Sequence, residues 1–159
     1  MVLGIPLATY TLVHVLISLV GIAAGLVALR SMTPRITAVF LTFTILTSVT
    51  GFGFPFDKVL PSHVVGVVSL VVLAAAIVAD YVKHRAGAWR TTHAVGVVLA
   101  TYLNVFVLVA QLFKRIPVLF LLAPTQSEPP FALTQGLVLV LFIWLGGTAV
   151  KGFRPRPID

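Results

Sequence analysis

Four histidines and four acidic residues are the whole stock of acid–base and metal-binding side chains in this 159-residue chain, which has no cysteine. Two of the histidines, His14 and His63, stand on separate apolar stretches. Neutral imidazoles placed in this way are suitable axial ligands for a b-type haem enclosed by a helix bundle. Against that, helical rise puts them about 9 Å apart in depth. With Glu128 or Asp57 added they would form a metal site, although their spacing matches no compact ligand motif. The absence of cysteine removes disulfides, thiolate sites and dithiol redox chemistry together. No catalytic signature is complete, so enzymatic activity is not expected.

The elements that carry these residues are five apolar stretches, at 6–29, 36–52, 63–82, 91–113 and 131–150. Each is close to the ~20 residues that a bilayer-spanning helix needs. Hydrophobic residues make up 59% of the chain and charged residues 9%, against about 25% charged in a soluble domain. The expected fold is therefore an all-α transmembrane bundle of five spans, a single domain over residues 1–159. The second stretch is the least apolar, with Thr42, Thr44, Thr47, Ser48 and Thr50, so four spans plus a re-entrant segment is the alternative. The first stretch has no basic region before it and no small-residue cleavage site, and is expected to be retained rather than removed as a signal. No internal repeat is evident, which argues against an inverted-repeat carrier.

Charge predicts the orientation. Arg30, Arg35, Lys83, Arg85, Arg90, Lys151, Arg154 and Arg156 fall on one side of five spans, and Lys58, Lys114 and Arg115 on the other. Basic loops stay in the cytoplasm, so the N-terminus is expected outside and the C-terminus inside. The net charge of +7 is read as topology signal and contact with anionic lipid rather than as a nucleic-acid footprint.

Polar residues inside the stretches fall at helical spacing. Tyr10, His14, Ser18, Gly21 and Gly25 share one face of the first helix, and His93, Gly96, Ala100, Asn104 and Gln111 share one face of the fourth. The segment from Gly21 to Gly25 is a small-xxx-small pattern that admits a second backbone. His14 lies about 12 Å along its helix from Pro6, and Asn104 about 14 Å from Phe113, so the two are expected at similar depth and hydrogen-bonded to each other. Thr37, Thr44, Ser48 and Gly51 line one face of the second helix, where hydroxyls can bond their own preceding carbonyls. Ser62 is a candidate cap for the third helix after Pro61, and Thr134 and Gln135 enter with the fifth. His84 is expected to pair with Asp80 on the helix surface, and His93 to act as a cap or at the membrane interface.

Two connections on the outer side are apolar. GFGFPFDKVLPS, over 51–62, is expected to form a lid, and the run at 116–123 is too short to span and reads as interfacial or re-entrant. The proline-rich segment that follows carries Glu128. The segments LTSVTGFGFPF, TYLNVFVLVAQ and LAPTQSEPPFALTQG resemble those of small bacterial inner-membrane proteins with no assigned activity. The resemblance covers most of the chain from Leu46 onward and implies a bacterial inner-membrane location only.

Two functions follow as expectations. In one, Tyr10, His14, His63, Asn104, Gln111 and Gln135 line a site for a lipid, quinone or other amphiphile, since mainly apolar pockets with a few convergent polar groups hold such ligands. In the other, the polar stripes only hold the bundle together, and the chain serves as an accessory or assembly subunit of a larger membrane complex or homo-oligomer. Haem b held by His14 and His63 is the alternative to both.

Overall fold

The computed structural model describes residues 2, 4–31, 33–55 and 61–152. The described chain is helical, in the order α1 (Leu7–Ala28), α2 (Pro34–Gly51), α3 (Pro61–Ile77) continued by a π-helical turn (Val78–Val82), α4 (Trp89–Arg115), the short α5 (Pro117–Leu122) and α6 (Pro129–Gly152). Five of these segments are long and apolar enough to cross a membrane. The protein is an integral membrane protein, an all-α bundle of five spans.

Proline and threonine set the helix starts. Pro6 precedes α1, and its carbonyl accepts the Tyr10 N–H. Thr33 caps α2, its hydroxyl accepting the Ile36 N–H, with Pro34 in the first turn. α3 begins at Pro61, so Ser62 lies inside the first turn and is exposed, rather than standing before the helix as its cap.

The second stretch is one continuous helix and not a re-entrant segment. Its low hydropathy has a simple cause: Thr37, Thr44 and Ser48 all face the bundle and are buried. Ser48 and Thr47 donate to the carbonyls of Thr44 and Phe43. Thr37, Thr44 and Ser48 are therefore turned away from lipid, Thr47 and Thr50 are half-buried, and Thr42 is exposed.

α4 is the central helix, packed against α1, α3 and α6. Its 27 residues span about 40 Å, longer than the ~30 Å hydrocarbon core, so its ends reach past the acyl region. Apolar helices gain little hydrophobic free energy from meeting in lipid, and close backbone approach takes the place of that drive. Ala28, Ala76 and Ala100 are fully buried around Phe40, Leu73 and Val97, and Ala94 is fully buried against Ala149. A Cβ at Gly25 would sit 2.5 Å from Thr101 Oγ1 and 3.0 Å from Phe40, and one at Gly96 would sit 2.9 Å from Ala76 Cβ. Those two glycines let α1 and α3 approach α4. The large exposed residues, among them Leu12, Val71, Leu137 and Trp144, form the outer surface that a membrane requires to be apolar.

Candidate functional site at the amino-terminal end of the bundle

The start of α1, the end of α2 and the start of α3 meet at one end of the bundle. The last carbonyls of a helix have no partner within the helix, and in lipid they need one from elsewhere. At the end of α2 the Thr50 carbonyl accepts the Gly53 N–H at 3.1 Å, and Tyr10 adds a second donor. Its hydroxyl donates to the Thr50 carbonyl at 2.7 Å, and the ring is buried.

One turn along α1, His14 Nδ1 lies 2.7 Å from Thr50 Oγ1. Thr50 has one hydroxyl proton, and it is directed to the Leu46 carbonyl at 2.6 Å. Its oxygen is thus the acceptor, and His14 Nδ1 carries the proton. The neutral ring then presents an unprotonated Nε2. That atom has no hydrogen-bond partner among the described residues, and the side chain is only half-buried.

Alternate phenylalanines of the GFGF segment pack to opposite sides. Phe54 meets the edges of both Tyr10 and His14, with centroids at 5.0 and 5.1 Å. Phe52 stacks on the buried ring of His63 at 5.7 Å and 15°, and lies 3.1 Å from where a Gly66 Cβ would be. Gly53 between them cannot carry a side chain, because a Cβ there would collide with the Tyr10 hydroxyl. The described part of this connection is a wedge between α1 and α3. The expected lid extended over Asp57 and Lys58, which lie outside the described residues, as do Arg154 and Arg156.

The other expected site residues are distributed along the bundle. Asn104 donates to Thr44 Oγ1 at 3.4 Å, so in place of the expected His14–Asn104 bond each side chain bonds a different threonine of α2, His14 at Thr50 and Asn104 at Thr44. Gln135 Nε2 donates to the Phe106 carbonyl at 3.0 Å, joining α6 to α4, while its buried Oε1 has no hydrogen-bond partner among the described residues. Gln111 is exposed, and Thr134 bonds the Pro130 carbonyl of its own helix. The structure thus brings Tyr10, His14, Thr50 and Phe54 together, and places His63 on the far side of the same wedge. Thr50 and Phe54 were not among the expected site residues. Thr50 lies in the last turn of α2, and its nearness to His14 is visible only once the α1–α2 pairing is known.

Each of His14 and His63 is packed against its own phenylalanine, an arrangement that lends no support to haem between them. Among the described residues no three His, Asp or Glu side chains are grouped to hold a metal.

The opposite end is built differently. Asp80 sits in the π-helical turn and pairs with Arg85 through Nε to Oδ1 at 2.8 Å, both side chains buried. His84 is exposed with φ 48°, so Arg85 and not His84 is the partner of Asp80. The reversal of the chain through His84, Arg85 and Gly87, all with positive φ, turns the arginine back onto the aspartate. His93 is fully buried rather than interfacial. Its Nδ1 lies 3.1 Å from the Ala76 carbonyl, which can only accept, and Asp80 and Arg85 act on it electrostatically.

The chain matches no protein-family model, no curated protein and no solved structure.

Proposed function

We propose that this multi-pass protein resides in a bacterial inner membrane, with its N-terminus outside and its C-terminus in the cytoplasm, and binds an amphiphile at His14. The supporting observation is the close approach of His14 Nδ1 to a Thr50 hydroxyl whose own proton is directed to the Leu46 carbonyl. Thr50 holds the proton on Nδ1 and leaves Nε2 as an acceptor inside a spanning helix, beside the ring of Phe54. Ionisable residues at such positions mark ligand or ion sites far more often than lipid-facing ones do. An acceptor selects a ligand with an O–H or N–H, such as a quinol or a hydroxylated or amine-bearing lipid. An oxidised quinone, which has only carbonyl oxygens, would not donate to it.

A short-chain benzoquinol added to the purified protein is expected to perturb the His14 ring and to lose its binding in His14→Phe. Equal binding by His14→Phe and wild type contradicts this reading.

A second reading, an accessory or assembly subunit, draws on α6. Only 17% of its span is buried, against 33% for α4, and it leans chiefly on α4. Gentle solubilisation should then recover a stoichiometric partner, lost when Leu137 and Val140 are replaced by serine.

A further inference from the structure

The spanning helix α4 ends in Lys114 and Arg115, and α5 begins at Pro117. Six residues of α5 extend only about 9 Å, yet Val118, Leu121 and Leu122 are 69%, 79% and 52% exposed. A helix this short and apolar cannot cross a bilayer. Next to the cationic end of a span, it belongs at the boundary between acyl chains and headgroups.

Between α5 and the turn that follows it lies an open cleft of about 150 Å³, lined by Lys114, Phe120, Pro124, Thr125 and Gln126. The wall formed by the turn is fixed. Gln126, at φ 60°, donates through Nε2 to the Ala110 carbonyl at 2.6 Å. The Glu128 carboxylate accepts from the Thr125 N–H and hydroxyl at 3.1 and 2.8 Å and from the Ser127 N–H at 3.0 Å. These donors occupy the carboxylate within its own turn. Lys114, by contrast, is exposed and makes no ion pair among the described residues. The cleft is smaller than the ~300 Å³ of a typical small-molecule site, but it has room for a phosphate group.

We propose that this cleft seats the phosphate of a membrane phospholipid against the Lys114 ammonium, with the acyl chains lying along the exposed face of α5. A cation without a protein partner, an apolar face without a covering and a polar notch between them match the three parts of such a lipid. The site is separate from His14 and does not rest on the function proposed for it.

The test uses the full chain in detergent, native mass spectrometry and three probes: dioleoyl phosphatidylglycerol, dioleoylglycerol and inorganic phosphate. One phosphatidylglycerol is expected to be retained, and dioleoylglycerol, which lacks the phosphate, several-fold less. Lys114→Gln should lower retention about fivefold, the effect of one basic side chain at a membrane surface, with Lys114→Arg restoring it and His14→Phe leaving it unchanged. Inorganic phosphate at equal concentration should leave the lipid bound. Undiminished retention by Lys114→Gln, equal retention of dioleoylglycerol, or displacement by inorganic phosphate would each overturn the proposal. Lys114 is exposed, so the unfolding midpoint of Lys114→Gln should equal that of wild type and exclude misfolding as the cause of a loss.

Discussion

At one end of the bundle Tyr10 and His14 both reach across to Thr50, and His14 itself is half-buried. At the other end Asp80 and Arg85 satisfy each other in full burial, and His93 is closed in beside them. Both ends place polar groups in an apolar medium, where an unpartnered group costs on the order of several kcal/mol. The Asp80–Arg85 end does so with charges that must stay together. The Tyr10–His14 end uses a hydroxyl and an imidazole that meet oxygens of Thr50. The first arrangement fixes a chain reversal, and the second leaves His14 Nε2 without a hydrogen-bond partner among the described residues.

The contrast predicts unequal responses to mutation. Asp80→Ala leaves Arg85 buried without its counter-charge, and is expected to lower stability by about 3–5 kcal/mol, as breaking one half of a buried pair does. Reversible unfolding in mixed micelles would measure it. Adding Arg85→Leu to Asp80→Ala should recover most of the loss, and failure to recover would mean that the pair is not what holds that end.

Gly25→Val tests the helix crossing on which both ends depend. The new side chain meets Thr101 and Phe40, with an expected cost of about 1–3 kcal/mol from overpacking.

At the amino-terminal end the effects should be smaller. Tyr10→Phe removes one bond to the Thr50 carbonyl and should cost about 0.6 kcal/mol, the average for interhelical polar contacts in membranes. A loss as large as that of Asp80→Ala would erase the distinction between the two ends.

The smallest effect lies outside the spans. Partial desolvation opposes ionisation of Glu128, but hydrogen bonds from the Thr125 hydroxyl, the Thr125 N–H, its own N–H and the Ser127 N–H outweigh it and hold the carboxyl below its ordinary value of 4.5. A depressed folded-state value stabilises the turn above the ordinary carboxyl range, and that contribution is lost as pH falls through the lowered value. The midpoint of the pH-dependent shift in the Thr125 and Ser127 amide resonances should therefore lie below 4.5.

The five spans were legible because length and apolarity are sufficient to identify them. The inward faces of α1 and α2 were legible too, since Tyr10, Gly21, Gly25, Thr37, Thr44 and Ser48 follow helical spacing and all are buried. Partners were harder to read. Depth alone paired His14 with Asn104, but depth does not say which neighbouring hydroxyl each side chain meets, and Thr50 and Thr44 of α2 are those partners. Surface spacing of i to i+4 paired Asp80 with His84 on the assumption of an α-helix. The turn is π-helical and reverses at once, which brings the fifth residue, Arg85, to the aspartate. His93 was placed at an interface because it opens a helix, whereas α4 begins four residues earlier, at Trp89, and carries His93 into the core.

The central claim is that Thr50 fixes the proton of His14 on Nδ1 and leaves Nε2 as an acceptor. Nitrogen-15 NMR of ring-labelled histidine in lipid nanodiscs reads both atoms directly. The account predicts a protonated Nδ1 and an unprotonated Nε2 for His14 at neutral pH, with the preference weakened in Thr50→Val. A wild-type His14 protonated on Nε2 alone, or a tautomer unaffected by Thr50→Val, would contradict it.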